Sequence, residues 1–225
     1  MEDIGVILLT YKRLEYAKTT ISSFFENTKT EAKIHFHIAD DESPDGYVDE
    51  LQQLVYKYNP ESITTSISHR EGYGQNYNLA TQTIHQLADY IFVLEDDWKL
   101  TREFPIDKYV KVLQDEEDIN SIRFGYIGYT QQLRGIFVPS HGEQFLLLDE
   151  YSPERHVFAG HPRLEKKQYQ IDVGEWPINV DPGTTEHIVA GRAKARRGVL
   201  WPIDFVHPRG DLFVHIGSVQ AREDQ

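Results

Sequence analysis

The sequence contains no cysteine among its 225 residues. This absence excludes disulfide bonds, thiolate metal sites and cysteine nucleophiles, and it fits a reducing compartment. No apolar run approaches the roughly 20 residues that a membrane-spanning helix needs. The first residues, MEDIGVILLTYKR, also lack the basic start and the cleavage pattern of a signal peptide. We therefore expect a cytoplasmic protein without membrane insertion.

Positive charge is scarce as well. The chain has 23 Lys and Arg residues against 36 Asp and Glu residues, which gives a formal net charge of −13. Such an acidic balance argues against an indiscriminate binder of nucleic acids or anionic membranes. Hydrophobic residues make up 40% of the chain, which is enough to build a core. The composition predicts an ordinary globular protein.

Glycine-rich phosphate-binding turns are missing too. Apolar residues 4–10 predict a first strand, and a nicotinamide-binding fold requires a glycine-rich turn directly after it. Here the turn reads Thr-Tyr-Lys-Arg over residues 10–13, without glycine. A P-loop is absent from the sequence as well. These absences exclude the two commonest glycine-loop nucleotide sites.

Alternating strands and helices are predicted for the first hundred residues. Further strands are expected at residues 34–38, 62–68 and 90–95, and helical spacing of apolar residues is found between the strands, at 14–24, 48–58 and 79–87. This alternation predicts an α/β fold with a mostly parallel central sheet, right-handed crossovers and flanking helices.

Acidic residues end two of these strands. Residues 90–98 read YIFVLEDDW, a continuous apolar run that is typical of a buried central strand and that leads into Glu95, Asp96 and Asp97. Asp40 and Asp41 follow the second strand. The carboxyl ends of parallel strands form the ligand-binding edge of an open α/β sheet, and clustered carboxylates suit Mg²⁺ or Mn²⁺. The sequence therefore predicts a metal and nucleotide site at this edge.

The second half of the chain is less regular. We expect a helix at 106–113, a strand at 121–127, a short strand at 145–148, a helix at 184–197 and two β-rich pieces at 199–206 and 212–216. Between residues 128 and 183 no long helical pattern is present, and Gly and Pro are frequent. We interpret this half as the acceptor side of the same domain.

Four ordered motifs resemble a known family. Residues 10–13 are similar to a Thr-Tyr-Asn-Arg element, residues 40–43 (Asp-Asp-Glu-Ser) to an Asp-Asp-Gly-Ser element, and residues 70–78 to Asn-x-Gly-x-x-x-Ala-x-Asn. Glu95-Asp96-Asp97 corresponds to the metal-binding Asp-x-Asp motif, with Glu in its first place. The chain thus resembles type A (GT-A) glycosyltransferases, most of all the large inverting family that includes cellulose, chitin and hyaluronan synthases.

This resemblance implies a donor site for a nucleotide-diphospho-sugar, with a uridine diphosphate sugar expected. The residues that would hold the nucleoside are Thr10, Tyr11, Arg13 and Asp40. Arg70 and Asn76 would lie near the donor, Glu95 and Asp96 would face the ribose and the sugar, and Asp97 would bind Mn²⁺ or Mg²⁺. Residues 1–98 would form the nucleotide-sugar-binding half of a single domain, and residues 99–225 its acceptor and catalytic half.

An inverting transferase also needs a general base that takes the proton of the acceptor hydroxyl. The resemblance places this base at the start of a helix after the Asp-x-Asp motif, where Glu186 stands, with Glu175 and Asp181 as rivals. A histidine near the carboxyl terminus often completes the metal site in such enzymes. His215 is the candidate here, and His207 is the second choice.

Other interpretations of the sequence are a sugar nucleotidyltransferase, a non-catalytic nucleotide-sugar-binding protein and a phage-type DNA glycosyltransferase. The last would use the basic cluster within residues 192–197 and a hydroxymethylated base as the acceptor. A glycan is the other expected acceptor. The same basic residues also suit the carboxyl end of a helix, where cations favour the helix dipole.

Overall fold

The computed structural model describes residues 2–124, 135–148, 160–194, 199–202 and 212–217. The helices in these ranges are α1 (Leu14–Asn27), α2 (Tyr47–Tyr56), α3 (Gly72–Ile84), α4 (Ile106–Asp115), α5 (Lys167–Val173) and α6 (Pro182–Lys194). The strands are β1 (Ile4–Thr10), β2 (Thr28–Lys29), β3 (Ile34–Asp40), β4 (Ser62–Ile67), β5 (Tyr90–Glu95), β6 (Trp98–Leu100), β7 (Phe104–Pro105), β8 (Ser121–Arg123), β9 (Gly135–Ser140), β10 (Glu143–Leu148), β11 (Arg163–Lys166), β12 (Val199–Pro202) and β13 (Phe213–His215).

One nine-stranded sheet organises the fold, in the order β4-β3-β1-β5-β11-β8-β12-β10-β9. The first four strands of this order are parallel. Strand β11 then runs antiparallel to both of its neighbours, β5 and β8. The predicted α/β class, with helices flanking a central sheet, is confirmed, although parallel pairing dominates only the amino-terminal half.

Strands β1 and β3 are buried along their whole lengths, as expected for central strands covered on both faces. On one face, an apolar cluster joins them to buried residues of α1, α2 and α4. On the other face, a second cluster includes buried residues of α3, α5 and α6. Among the described residues, no helix is both long enough and apolar enough to cross a bilayer.

The first hundred residues follow the predicted pattern closely, and the second half departs from it. Strands β9 and β11 and helix α5 lie inside the region that was expected to be irregular. The charged residues of β11 hide it in the sequence, because Arg163 and Glu165 do not look like residues of a buried strand. Both side chains are almost fully buried, and Arg163 Nε lies 3.1 Å from Glu165 Oε1. A buried charge is tolerated when it is paired in this way.

Strand β11 runs antiparallel to β5, which determines where the residues before β11 lie. Arg163 is aligned with Val93 near the end of β5, so the residues before β11 arrive at the carboxyl edge of the parallel strands.

Helix α6 starts at Pro182 and is preceded by Asp181. The Asp181 carboxylate accepts hydrogen bonds from the N–H (3.0 Å) and the hydroxyl of Thr184. Asp181 thus caps the helix, with proline in its favoured first position.

His37, in the middle of β3, is a buried titratable group. Its Nδ1 lies 2.8 Å from the hydroxyl oxygen of Thr64, and its Nε2 lies 2.9 Å from that of Ser66. Burial lowers the pKa of this imidazole to about 4, because the charged form would lose its hydration. The native protein therefore holds His37 neutral at neutral pH.

We predict that His37 makes the protein acid-sensitive. With a native pKa of about 4 and an unfolded value near 6.5, the unfolded chain binds the extra proton, so stability is lost as the pH falls through this window. Between about pH 7 and pH 5 the loss in unfolding free energy should be about 2 kcal/mol. Urea unfolding of the wild type and of His37→Gln at both pH values measures it, since the variant should lose this slope.

His35→Gln is the matched control, because it removes an imidazole from the same strand. If the unfolding free energy of His35→Gln depends on pH as weakly as that of His37→Gln, the assignment to His37 is wrong.

Candidate active site at the carboxyl edge of the sheet

The carboxyl ends of β1, β3 and β5 lie side by side and collect the predicted site residues. Thr10 is aligned with Asp40, and Leu9 with Glu95. Because the three strands are parallel, the polar residues that end them meet at one edge. The structure thus brings Thr10, Asp40 and the acidic residues after β5 together, as the sequence predicted for a ligand-binding edge.

Asp96 is fully buried, and its carboxylate is directed at the end of β1. Its Oδ2 accepts hydrogen bonds from the hydroxyl of Thr10 (2.9 Å) and the N–H of Tyr11 (3.1 Å), and its Oδ1 is paired with the Arg13 guanidinium. Burial raises the pKa of Asp96 to about 6, and the Arg13 charge opposes that shift. Asp96 was expected to face the ribose or sugar. In the structure it instead holds the end of β1 to residues 95–97, the acidic segment.

Asp97 has a different environment. Its Oδ2 accepts a hydrogen bond from Arg13 Nη1 at 2.6 Å and lies 3.1 Å from the Nε2 of His215. Its Oδ1 is buried and has no hydrogen-bond partner. His215 reaches this position because β13 pairs antiparallel with β6, and because the N–H of Ile216 donates to the Asp97 carbonyl at 2.8 Å. The two predicted metal ligands are therefore adjacent.

These two residues fit a divalent cation of the kind that a diphosphate substrate brings. Within the described residues there is no group of three His, Asp or Glu side chains placed to hold an ion. Mg²⁺, however, is commonly bound through one or two carboxylates together with substrate phosphates and water. The buried Asp97 Oδ1 has no hydrogen-bond partner, so it is free to bind such an ion. The His215 imidazole beside it favours an ion softer than Mg²⁺.

Glu95 and Glu186 converge on Gly160. The N–H of Gly160 donates to Glu186 Oε1 at 2.9 Å, and the hydroxyl of Tyr73 donates to Glu95 Oε1 at 2.6 Å. A Cβ atom at Gly160 would lie 2.2 Å from Glu95 Oε1, so a residue without a side chain is needed for this close approach. Burial and the neighbouring Asp97 charge raise the pKa of Glu95 to about 8. Tyr73 was not predicted, since nothing in its spacing indicates this contact.

The two rivals of Glu186 have other surroundings. Asp181 is exposed and caps α6, and its hydrogen bonds with Thr184 lower the pKa of its carboxyl group. Glu175 has an exposed side chain, and its backbone carbonyl accepts a hydrogen bond from Arg192. Of the three candidate bases, Glu186 alone has a carboxylate with a described contact to Gly160 beside Glu95.

The predicted nucleoside side is formed by loops after β1, β3 and β4. Arg70 Nη2 donates to the Tyr11 hydroxyl at 3.0 Å, and the Lys12 ammonium lies 5.0 Å from the centre of the Tyr11 ring. Burial alone would raise the pKa of this phenol, but Lys12 and Arg70 together lower it. Lys12 and Arg70 both have left-handed backbone conformations, with φ of 60°. A partly exposed ring with two cations beside it is suited to a nucleotide.

Asp40 and Asn76 are buried and bonded within the protein. Asp40 accepts hydrogen bonds from the N–H of Ser43 at 2.7 Å and from its hydroxyl, and burial raises the pKa of its carboxyl group. Asn76 donates to the Ala39 carbonyl at 2.9 Å, while its Oδ1 has no hydrogen-bond partner. Both residues therefore shape the floor of the site. His207, Arg196 and Arg197 lie outside the described residues.

Residues 5–172 match the family described as glycosyl transferase family 2. The chain belongs to glycosyl transferase family 2. A comparison with curated protein sequences gives no significant match.

Solved structures show the same fold. S. aureus TarS is 13% identical with a TM-score of 0.70, and the match covers 99% of this chain and 38% of that one. A TarS 1–349 complex with UDP-GlcNAc gives 13% identity and a TM-score of 0.68 over 97% of this chain and 61% of that one. The mannosyltransferase PcManGT from Pyrobaculum calidifontis was solved with GDP-Man and Mn²⁺. It is 15% identical with a TM-score of 0.62, and the match covers 94% of this chain and 61% of that one. The chain thus spans between 38% and 61% of these three, and the predicted GT-A fold is confirmed.

We predict that Arg13 stabilises the buried carboxylates of the acidic segment. Arg13→Gln leaves Asp96 and Asp97 without their guanidinium partner, and loss of one member of a buried ion pair is strongly destabilising. Because the Arg13 side chain is 21% exposed, we expect the unfolding free energy to fall by about 2 kcal/mol rather than more. Mn²⁺ should restore part of the loss by placing positive charge beside Asp97.

Urea unfolding in EDTA and in Mn²⁺ measures both effects. Lys18→Gln is the control, since its ion pairs with Glu15 and Glu50 are exposed and should contribute little. An Arg13→Gln protein as stable as Lys18→Gln in EDTA would show that Arg13 is not needed to neutralise these carboxylates.

Proposed function

We propose that this protein is an inverting, divalent-metal-dependent glycosyltransferase that moves a sugar from a nucleotide-diphospho-sugar to an acceptor hydroxyl. The observation that carries the proposal is the arrangement at the carboxyl edge of the sheet. Asp97 and His215 there offer a metal-binding pair, and the Glu186 carboxylate is held beside Glu95 at the same edge. Family membership supports the reaction class.

The donor is a nucleotide sugar, with a uridine diphosphate sugar as our first choice. TarS 1–349 has been solved with UDP and with UDP-GlcNAc, and the fold of the present chain is similar to it. Tyr11 and Arg70 would contact the nucleoside from the rim, and Thr10 and Asp40 would support that pocket from below. Residues 1–98 would form the donor half of one domain, and residues 99–225 the half that carries the base.

The chemistry follows from the positions of the charged groups. Glu186 would take the proton of the acceptor hydroxyl as its oxygen attacks the anomeric carbon, and the bond from that carbon to the diphosphate oxygen breaks with its electron pair going to the diphosphate. When bound, the divalent cation supplies positive charge against the leaving diphosphate. Asp97 and His215 would hold this cation. Attack opposite to the leaving group inverts the anomeric configuration.

Sugar nucleotidyltransferase activity is disfavoured by the loop after β1. That reaction requires a glycine-rich, basic loop that can contact the phosphates. Here the loop contains no glycine, and its Arg13 is bound to Asp96 and Asp97. The loop is thus organised to hold the acidic segment.

We predict that a nucleoside diphosphate stabilises the protein only together with a divalent cation. A ligand at about a hundred times its dissociation constant adds about 2.7 kcal/mol, which for a chain of this size moves the melting temperature by several degrees. Thermal unfolding with UDP, GDP, CDP or dTDP, each with and without Mn²⁺, measures the effect. Asp97→Ala should abolish the metal-dependent part.

Asp89→Ala is the matched control, because Asp89 precedes β5 and lies at the opposite end of that strand. It should retain the full shift. A nucleotide-dependent shift that is the same with EDTA and with Mn²⁺ would contradict metal-dependent binding of the donor.

We predict that Glu186→Gln abolishes turnover while it leaves donor binding intact. The amide keeps the shape of the side chain but cannot accept the proton, so the rate should fall about a hundredfold or more. Release of nucleoside diphosphate measures turnover, and the Mn²⁺-dependent thermal shift measures binding. The anomeric configuration of the product, followed by NMR, tests inversion.

Glu175→Gln is the control, since it makes the same change at a nearby exposed carboxylate. Equal turnover in Glu186→Gln and Glu175→Gln would show that Glu186 is not the base. A purified wild type that binds the donor but does not release nucleoside diphosphate with any acceptor would instead favour a non-catalytic nucleotide-sugar-binding protein.

A further inference from the structure

Trp98 lies between the two halves of the candidate site. It directly follows Asp97 and begins β6, and its side chain is almost fully buried at 1% exposure. Its ring is 5.0 Å from the His161 ring and 5.2 Å from the His215 ring, measured between centroids. His215 ends β13, and His161 lies just before β11. Trp98 therefore contacts both of the chain segments that meet at the site.

A short chain of hydrogen bonds leads from Trp98 to Glu186. The indole N–H of Trp98 donates to the carbonyl of Gly160 at 2.7 Å. The N–H of the same glycine donates to Glu186 Oε1 at 2.9 Å. Gly160 is thus fixed at its carbonyl by Trp98 and fixes Glu186 through its N–H.

Gly160 also contacts the second carboxylate. Its Cα lies so close to Glu95 that any Cβ would collide with the carboxylate, which the Tyr73 hydroxyl holds from another side. A small rotation of Gly160 would change its contacts with Glu95 and Glu186 together. The position of Gly160 therefore contributes to the orientation of the Glu186 carboxylate.

We propose that Trp98 is a positioning residue for the general base: its indole N–H holds Gly160 so that the Gly160 N–H orients the Glu186 carboxylate. The inference rests on the proposed function of Glu186. Trp98 does not touch the reacting atoms and acts through Gly160. In this way the residue next to the metal-binding Asp97 couples the donor half of the site to the half that carries the base.

Trp98→Phe tests this coupling because it retains a buried aromatic ring between the two histidines and removes only the N–H donor and part of the ring. The Gly160 carbonyl then loses its buried partner, which permits the glycine to rotate. Trp98→Leu, which also lacks a side-chain hydrogen-bond donor, serves as the second variant if the phenylalanine protein unfolds at the assay temperature.

The kinetic experiment is a double-mutant cycle with Glu186→Gln. In the wild-type background, Trp98→Phe should lower kcat about tenfold or more, with the donor dissociation constant changed less than about twofold. In the Glu186→Gln background, where no base remains to be oriented, Trp98→Phe should change the residual rate less than about twofold. The same loss of rate in both backgrounds, or no loss in the wild-type background, would overturn the proposal.

Amide hydrogen exchange gives a readout that does not require turnover. In protein labelled with ¹⁵N-glycine, the Gly160 signal is identified by its loss in Gly160→Ala, and Glu186→Ala shows how fast this amide exchanges without its acceptor. Trp98→Phe should accelerate exchange at Gly160 about tenfold or more. In uniformly labelled protein, the amide of Phe124, which donates to the Pro162 carbonyl at 2.8 Å, should change less than about twofold and so reports general loosening.

The two readouts separate the two proposals. If no nucleotide sugar is turned over by the wild type, the proposed function fails, and the exchange of the Gly160 amide still decides whether Trp98 positions Glu186. If the wild type is active but Gly160 exchange is unchanged in Trp98→Phe, the positioning role is wrong and the function stands.

Discussion

The ion pair of Arg13 with Asp96 and Asp97 is the interaction on which the edge of the sheet depends. Two consecutive carboxylates are buried there, one of them completely. Buried carboxylates need a cationic or hydrogen-bonding partner, since the loss of their hydration is otherwise too costly. Arg13 reaches both from the start of α1, and so it joins the ends of β1 and β5 to this helix.

The three acidic residues at the end of β5 differ in the direction of their side chains. Asp96 points toward β1, where its carboxylate accepts hydrogen bonds from Thr10 and Tyr11. Asp97 turns toward β13, where it meets His215 and keeps one oxygen without a partner. Glu95, still within the strand, points to the opposite face and meets Tyr73. A motif that is compact in sequence thus contacts three different parts of the fold, which are the end of β1, strand β13 and helix α3.

The sequence was sufficient where burial made the pattern simple. Strands β1 and β5 are continuous apolar runs, and β3 alternates apolar residues with two histidines. All three end in polar residues, so both the strands and the edge they form were predictable. Strand β11 was not, because it is only four residues long and carries Arg163 and Glu165 into the core. The partner of each charge lies on the same short strand, and its burial comes from α3 and α5, which a local pattern does not include.

The candidate site followed the same division. Asp97 and His215 are 118 positions apart, yet the resemblance to a known motif placed them together. Asn76 stood in a recognisable motif as well, but it bonds the backbone of β3 instead of facing the site openly. Trp98 carries no sequence signal, since a tryptophan after an acidic run is common, and Gly160 is explained equally well by a turn, because a proline stands two positions after it. Trp98 and Gly160 are 62 residues apart in the sequence, and only the hydrogen bond between them in the structure shows that they act at one site.

The reversal of one strand explains why Glu186 and the acidic end of β5 meet at all. In a fully parallel sheet, the segment before β11 would lie at the amino edge, far from Asp97. Because β11 runs antiparallel to β5, its preceding residues reach the carboxyl edge, and Gly160 arrives beside Glu95. Helix α6 then delivers Glu186 to the same glycine. The buried Arg163–Glu165 pair is part of the same arrangement, since it allows a charged strand to occupy the centre of the sheet and thereby brings Gly160, which contacts Glu186, to the carboxyl edge.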